Sequence, residues 1–256
     1  AGLFFVYGFV PVQNSTALKP SRSTIVTIGE TPSRCKPKKI LILLKRSMVS
    51  MNEDEKVEHW WLVRHAPVHL KFIYGQMNVE ADFSNLEAFD RLAKVLPEKK
   101  SILSSDLDRC VKTAQMICKE QEKNEECVET CSALREQHFG DWQGLTFDEA
   151  KEVDQSAYQL FWENPAVNAP PSGESFDDVR KRVVKARKEI SSRNTEENIL
   201  VVAHAGTIRA MLAEALGMPS EKALLFNVDP LSLTKLTLFR EEQCDSWQIN
   251  WINRTY

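Results

Sequence analysis

The chain carries Val57-Glu58-His59-Trp60-Trp61-Leu62-Val63-Arg64-His65, a mostly apolar run that ends in an arginine and a histidine. A second apolar run, Ile199-Leu200-Val201-Val202-Ala203, also leads into a histidine, His204. Short apolar runs of this kind predict buried strands. Ligands of open α/β sheets usually bind in the crevice at the carboxyl ends of the strands. We therefore expect His65 and His204 to meet in one crevice.

Two blocks of polar residues lie between these histidines, and a third begins at the second histidine. They are Ser104-Ser105-Asp106-Leu107-Asp108-Arg109-Cys110-Val111-Lys112-Thr113-Ala114, then Leu134-Arg135-Glu136-Gln137-His138-Phe139-Gly140-Asp141-Trp142-Gln143-Gly144, and finally His204-Ala205-Gly206-Thr207-Ile208-Arg209-Ala210. Together with Leu62-Val63-Arg64-His65-Ala66, these blocks closely resemble the motifs of the histidine phosphatase superfamily, the phosphoglycerate mutase-like proteins. The blocks occur in the family's order, and their combination is highly specific.

The resemblance covers the chain from about Val57 to its C-terminus. It implies the phosphoglycerate mutase-like fold, a three-layer α/β/α sandwich. One difference concerns Ala66, because many members have glycine after the Arg-His pair. Alanine is also small and occurs in the family, so we expect the chemistry to be unaffected.

His65 is the candidate nucleophile. A neutral imidazole can attack phosphorus near neutral pH, because the unperturbed pKa of histidine is about 6.5. The attack leaves a phosphohistidine that water hydrolyses, so one difficult displacement becomes two easier ones. The transferring phosphoryl group carries charge on its oxygens and needs cations around it. Arg64 and Arg109 offer planar sets of N–H donors for those oxygens, and His204 adds a positive charge if it is protonated.

Glu136 matches the residue that serves as general acid in the family, where it protonates the leaving oxygen. The His204-Ala205-Gly206 turn precedes a predicted helix, so the backbone N–H groups of Ala205 and Gly206 are expected to bind an anion. Each residue also has an ordinary interpretation: a surface carboxylate for Glu136, and a solvated helix face for Arg109. The match of both residues to the motifs favours the site.

No metal ion and no cofactor are predicted. The six cysteines, at positions 35, 110, 118, 127, 131 and 244, show no Cys-x-x-Cys spacing and have no matching pair of Cys or His ligands. A chain of this length does not need a disulfide framework, so we interpret the cysteines as free thiols in a reducing compartment, most simply the cytoplasm.

The distribution of charge divides the chain near residue 51. Residues 1–50 contain eight Lys or Arg and one acid, Glu30, a net charge of +7, whereas residues 51–256 contain 25 basic and 35 acidic residues, a net charge of −10. An acidic domain is a poor nucleic-acid binder. No apolar run approaches the roughly 20 residues of a membrane-spanning helix. The expected partner is a small phosphoester, and the chain is compatible with a homodimer.

Residues 1–50 are predicted to be a disordered leader or a non-native extension, and residues 51–256 the phosphatase domain. The first segment is basic, contains four prolines and shows no sustained amphipathic period. Translation from Met51 or Met48 is the simpler explanation of this composition. Import into an organelle is the alternative, because transit peptides are also basic and poor in acids.

Alternating strand and helix patterns predict an α/β fold of three layers. The predicted strands are 57–64, 101–104, 199–203, 231–239 and 247–253, the last two as an antiparallel pair, with a short extended piece at 128–135. The predicted helices are 85–96, 106–119 with Asp106 near its cap, 148–161, 174–191 and 207–216. The helix at 174–191 is basic and amphipathic, and we expect its charged face to be solvated.

A phosphohistidine can pass its phosphoryl group to water or to a bound sugar acid. Cofactor-dependent mutases of the family carry long insertions and continue the Arg-His-Gly motif with Ser-x-Trp-Asn, whereas this chain continues with Pro67-Val68-His69-Leu70-Lys71. We therefore expect a phosphoric monoester hydrolase similar to compact bacterial members, including those assigned as α-ribazole phosphatases. The alternatives are mutase-type transfer and a non-catalytic phosphate-binding scaffold. A scaffold would be indicated by loss of Glu136 or of either histidine, and all three are present.

Overall fold

The structure is a computed structural model and describes residues 56–124, 127–240 and 245–256. Its strands are β1 (Lys56–Arg64), β2 (Ser101–Ser104), β3 (Val128–Thr130), β4 (Asn198–Ala203), β5 (Leu233–Arg240) and β6 (Ser246–Arg254). Its helices are α1 (Leu86–Val95), α2 (Asp108–Glu120), α3 (Phe147–Val153), α4 (Gln155–Glu163), α5 (Phe176–Arg193), α6 (Ala205–Leu216) and α7 (Ser220–Ala223). The predictions for residues 1–50 lie outside the described residues.

The strands form one mixed sheet in the order β3-β2-β4-β1-β5-β6. The four strands β3, β2, β4 and β1 are parallel. The remaining two are antiparallel, β5 to β1 and β6 to β5, which confirms the predicted terminal pair. The parallel strands β1 and β4 lie side by side in the middle of the sheet, so their carboxyl ends open at the same edge.

Alternate side chains of β1 pack on opposite faces of the sheet. Trp60 and Leu62 pack into one apolar cluster, which includes residues of α5 and α6. Trp61 and Val63 pack into the opposite cluster with residues of α1 and α2. Successive side chains of a strand point to opposite faces, so a run that is apolar at every position is covered on both sides. This arrangement confirms the three-layer α/β/α sandwich.

The region between β3 and α5 differs from the prediction in two places. The extended piece expected at 128–135 ends at Thr130, and a short 3₁₀ turn, Ser132–Leu134, follows it. The single helix expected at 148–161 is two helices, α3 and α4. They separate at Asp154, whose side chain accepts a hydrogen bond from the backbone N–H of Ala157 and so caps the second helix. The carboxylate replaces a helical backbone partner at this position.

The beginning of α2 also differs from the prediction. The helix starts at Asp108, and the preceding residue, Leu107, makes no side-chain capping bond. Asp106 does not cap the helix. Its carboxylate instead accepts hydrogen bonds from Nε and Nη2 of Arg135, at 2.7 and 2.6 Å, on the segment that follows β3. The carboxylate is thus engaged in a charge-assisted bidentate pair and is not available to the helix end.

The charged face of α5 is solvated only in part: its lysines at 181, 185 and 188 are exposed, as predicted, but some of its arginines are not. Arg187 is buried and forms ion pairs with Glu214 of α6 and with Asp245 before β6. Arg180 donates to the carbonyl oxygen of Met218, beyond the C-terminus of α6. Long basic side chains can bury their stems while their charged ends bind polar partners, so composition alone does not show which of them are buried.

In the part of the chain that the structure describes, no helix is long and apolar enough to span a membrane.

A buried carboxylate connects β1 to the end of α5. Glu58 is fully buried; it accepts hydrogen bonds from the hydroxyl of Ser191 at 2.6 Å and from the indole N–H of Trp60 at 3.2 Å. Lys56 and Arg240 lie 3.4 Å from its other oxygen. Burial of a charge is tolerated only with partners of this kind.

Replacement of Glu58 by alanine is expected to lower the free energy of unfolding by about 2 kcal/mol, because it leaves the Ser191 hydroxyl and the Trp60 N–H buried without a partner. Denaturant unfolding at fixed pH measures the loss. The matched control is Asp90→Ala, which removes an exposed ion pair with Lys94 and should cost less than about 0.5 kcal/mol. Equal losses would show that the Glu58 cluster does not contribute specifically.

Candidate active site

The pairing of β1 with β4 brings the two histidines together. Arg64 lies opposite Ala203 in the parallel register, so the next residue on each strand is a histidine at the same edge of the sheet. The rings of His65 and His204 are 5.1 Å apart between centroids. Both side chains are buried, with 2% and 0% of the residue exposed.

The hydrogen bonds of His65 define which ring nitrogen carries a proton. Its Nδ1 lies 2.7 Å from the carbonyl oxygen of Ala66, and a carbonyl can only accept, so Nδ1–H donates. The second nitrogen, Nε2, then holds a lone pair in the neutral ring. Burial, followed by the positive charges of Arg64 and Arg109, holds the pKa of His65 well below its usual value near 6.5. The ring is therefore in the form that can attack an electrophile.

His204 has the opposite tautomer. Its Nδ1 lies 3.3 Å from Nη2 of Arg109, and a guanidinium group can only donate, so Nδ1 accepts. Its Nε2–H then donates to the hydroxyl of Ser105 at 2.9 Å. Burial and the charges of Arg109 and His65 hold the pKa of His204 well below its usual value. The lowered pKa favours the neutral ring and therefore does not support the additional positive charge considered for a protonated His204.

Arg109 is buried, so the interpretation as a solvated helix face is wrong for this residue. Its Nη1 donates to the carbonyl of Met77 at 2.8 Å and its Nη2 to that of Gly75 at 2.6 Å. The guanidinium carbon lies 5.1 Å from the centroid of the Tyr74 ring, within the range of a cation–π contact. The side chain therefore fixes the loop after β1 as well as its own position.

Arg64 and Arg109 each use only some of their guanidinium N–H groups for hydrogen bonds within the protein. Nη1 of Arg64 donates to the carbonyl of Val228 at 2.5 Å. Among the described residues, Nε of Arg64 and Nε of Arg109 are buried and have no hydrogen-bond partner. Buried N–H groups are usually paired, and two unpaired ones beside the histidines indicate a site for acceptor oxygens. Other N–H groups of both guanidinium groups already bind backbone carbonyls of the protein, which the sequence did not predict.

Glu136 occupies the anion position that was expected for a ligand. Its Oε1 accepts hydrogen bonds from the backbone N–H groups of Gln137 at 3.0 Å and Gly206 at 3.1 Å. The N–H of Gly206 therefore binds a carboxyl oxygen of the protein itself. Ala205 is the first residue of α6 and is buried. The N–H groups at the amino end of a helix need acceptors, and here the acceptor is the carboxyl group of Glu136.

The close approach of Glu136 requires a glycine at position 206. A methyl group there would collide with Oε1 of Glu136, which lies directly over the backbone. The glycine at the start of a helix otherwise costs helix stability relative to alanine. Its presence is explained by the carboxylate that it admits.

Sequence analysis assigned no role to Ser105 or Thr113, although both lie in a quoted block. Ser105 directly follows β2 and orients His204. The hydroxyl of Thr113 accepts from the N–H of Ala66 at 3.0 Å and donates to the carbonyl of Arg109 at 2.6 Å, so it connects the residue after His65 to the backbone of Arg109. The spacing from Arg109 to Thr113, one helical turn, is a signal that could have indicated the second contact.

Positive charge in this site comes from arginine. Within residues 56–124, 127–240 and 245–256, no three His, Cys, Asp or Glu side chains gather into a group that could hold a metal ion. The thiol of Cys110 lies 3.3 Å from Nε2 of His204 and is buried, which raises its pKa far above the usual value. This cysteine therefore remains a neutral neighbour of the histidine and does not add an anion to the site.

Comparisons with known proteins agree on the family. The model of the histidine phosphatase superfamily (branch 1) matches residues 60–253. Phosphoglycerate mutase-like protein 4 of Arabidopsis thaliana is 35% identical over 205 residues, which cover 77% of this chain and 86% of the relative. The metal-independent phosphoserine phosphatase of the same plant is 32% identical over 173 residues, 62% of this chain and 71% of the relative. The native structure of mycobacterial glucosyl-3-phosphoglycerate phosphatase superposes with a TM-score of 0.66 at 26% identity and covers 78% of this chain and 100% of that chain.

The two histidines are expected to be neutral at pH 6 and to differ in tautomer. Because their pKa values are lowered, protonation should begin only below the usual value near 6.5. Long-range ¹⁵N–¹H NMR of protein labelled in histidine should show Nδ1–H for His65 and Nε2–H for His204. The exposed His69 provides the control, since it lacks this burial. Charged imidazolium signals from His65 or His204 at pH 6 would contradict the arrangement.

Proposed function

Because the chain belongs to branch 1 of the histidine phosphatase superfamily, we propose that it hydrolyses a small phosphorylated metabolite through a phosphohistidine on His65. The observation that carries this proposal is the surroundings of His65: a buried, neutral ring beside two arginines, each with a buried and unpaired Nε–H. An uncharged nucleophile next to fixed positive charge suits a dianionic phosphate ester, which the arginines attract and the imidazole can attack.

In the first step, the lone pair on Nε2 of His65 attacks phosphorus. The bond from phosphorus to the ester oxygen breaks, and that oxygen takes a proton from the carboxyl group of Glu136. Arg64 and Arg109 donate to the phosphoryl oxygens, where negative charge is concentrated as the group transfers. The hydrogen bond from Nδ1–H of His65 to Ala66 stabilises the positive charge that develops on the ring.

In the second step, water attacks the phosphohistidine. Glu136, now a carboxylate, accepts a proton from that water, and the bond from phosphorus to Nε2 breaks. Inorganic phosphate leaves, and the starting form of both residues is restored. One carboxyl group thus acts as acid and then as base at the same position.

Binding of the phosphate changes the partners of Glu136. We assign the N–H groups of Ala205 and Gly206 to the phosphate, together with His204, which is held by Ser105. The N–H of Gly206 donates to Oε1 of Glu136. A bound phosphate that takes this N–H therefore releases a carboxyl group that is already adjacent to it. This exchange places the acid next to the ester oxygen.

Transfer to water is favoured over mutase-type transfer. Two of the three reported relatives are named as phosphatases, while the third is named only as mutase-like. The chain also continues the Arg-His pair with Pro67-Val68-His69-Leu70-Lys71 and not with the mutase pattern. We further propose that the enzyme is metal-independent, because arginines supply the charge that a metal ion would otherwise provide. We also propose that it is cytoplasmic and that its catalytic domain is residues 51–256.

The first test is labelling of His65. Brief incubation with a ³²P-labelled aryl phosphate followed by rapid quenching should give acid-labile, base-stable label on wild-type protein and none on His65→Ala, which should also lose turnover. The matched control is His69→Ala, because His69 is exposed and pairs only with Asp82 in a loop; this variant should be labelled normally. Label on another residue, or turnover by His65→Ala, would overturn the proposal.

The second test examines the general acid with two substrates. Glu136→Gln should slow hydrolysis of an alkyl phosphate by about 100-fold or more but that of 4-nitrophenyl phosphate far less, because a phenolate of low pKa leaves without a proton. Gly206→Ala should give the same selectivity in weaker form, since its methyl group displaces the Glu136 carboxylate. Equal slowing of both substrates by Glu136→Gln would assign this residue to binding.

A further inference from the structure

The candidate general acid lies on a segment without regular secondary structure. Residues 135–139 follow a 3₁₀ turn, Ser132–Leu134, and precede another, Gly140–Trp142, so no ladder of backbone hydrogen bonds supports them. Backbone N–H and C=O groups that are removed from water need partners. The N–H of Arg135 and the carbonyl of His138 pair with other backbone groups, and several of the remaining groups are paired with side chains. The position of Glu136 therefore depends on whatever supplies those partners.

We propose that Arg182 and Glu174 position the general acid by binding the backbone on both sides of it. This inference rests on the proposed function, in which Glu136 donates a proton to the leaving oxygen. Arg182 lies on α5 and Glu174 directly precedes that helix, so both belong to a layer that is anchored on the sheet. They act through the Glu136 backbone and are positioning residues.

Three carbonyl groups around Glu136 accept from one guanidinium group. Nη1 of Arg182 donates to the carbonyl oxygens of Ala133 at 3.0 Å and Arg135 at 2.7 Å. Its Nη2 donates to the carbonyl oxygen of Glu136 itself at 2.8 Å. A planar guanidinium with five N–H donors can make these bonds together, whereas a lysine ammonium group offers one point of contact.

Glu174 completes the arrangement from the other side. Its two oxygens accept from Nε and Nη2 of Arg182 at 2.8 and 3.0 Å, which fixes the plane of the guanidinium group. One of these oxygens also accepts from the backbone N–H of His138 at 2.9 Å. The side-chain amide of Gln137 donates to the backbone carbonyl of Glu174 at 2.6 Å. The ion pair therefore holds residues before and after Glu136.

The rate of proton transfer depends on where this arrangement holds the carboxyl group of Glu136. Proton transfer needs the carboxyl group within hydrogen-bond reach of the leaving oxygen, and a displacement of about 1 Å can cost about 100-fold in rate. His65 follows β1 and Arg109 lies on α2, so the nucleophile and this phosphate contact are not carried by the segment around Glu136. Loss of the Arg182 bonds should thus affect the proton-dependent part of the reaction selectively.

The test compares Arg182→Lys with a matched control on the same helix, Arg180→Lys. Arg180 also donates from a part-buried guanidinium group to backbone carbonyls, but these belong to Ala213 and Met218, remote from Glu136 in the sequence. Arg182→Lys should lower kcat for an alkyl phosphate by about 100-fold, with KM and the rate for 4-nitrophenyl phosphate close to wild type. Arg180→Lys should leave the ratio of the two rates unchanged.

A second variant, Glu174→Gln, covers the case in which Arg182→Lys does not fold. It keeps the shape of the side chain, removes the charge that fixes the guanidinium plane and should shift the alkyl-to-aryl ratio in the same direction by a smaller factor. Equal slowing of both substrates by Arg182→Lys or Glu174→Gln, or the same ratio in Arg180→Lys, would overturn the positioning role.

The variant Glu136→Gln separates failure of this inference from failure of the proposed function. If Glu136→Gln slows alkyl phosphates selectively and Arg182→Lys does not, only the positioning role is wrong. If Glu136→Gln shows no selectivity, the assignment of the general acid is wrong, and the inference that rests on it is overturned as well.

Discussion

The parallel pairing of β1 with β4 is the interaction on which the rest of the structure depends. The register that sets Arg64 opposite Ala203 delivers His65 and His204 to one edge of the sheet. A shift by one residue would turn each side chain to the opposite face, because the period of a strand is two. The same register also places the start of α6 next to His65, since the helix begins directly after His204.

Burial of positive charge is the second constraint, and it explains the protonation states of the site. Arg64 and Arg109 are held by carbonyl oxygens and, for Arg109, by an imidazole nitrogen, none of which carries a negative charge. Their charge therefore lowers the pKa of both histidines, in addition to the effect of burial. An anionic ester entering such a site meets fixed cations and a neutral nucleophile, the combination that phosphoryl transfer requires.

Different parts of the fold position the two kinds of reacting group. The histidines and Arg109 lie on or next to strands and helices, whose backbone hydrogen bonds are internal. Glu136 lies on an irregular segment, so its backbone is held by the side chains of Arg182 and Glu174 and by the hydroxyl of Thr207, which donates to the carbonyl of Leu134 at 2.9 Å.

The sequence by itself determined most of the strands and helices, the three-layer architecture and the meeting of His65 and His204 at the sheet edge, but not the break at Asp154 or the contact of Ser105 with His204. These follow from local apolar runs and from motifs, whose information lies within a few residues of the chain. The tertiary structure alone decided the partners: Asp106 binds Arg135 instead of capping α2, Arg109 binds the loop after β1, and Glu136 takes the N–H of Gly206. A polar side chain is satisfied by whichever partner the packed fold brings within about 3 Å, and periodicity carries no information on contacts between residues far apart in sequence.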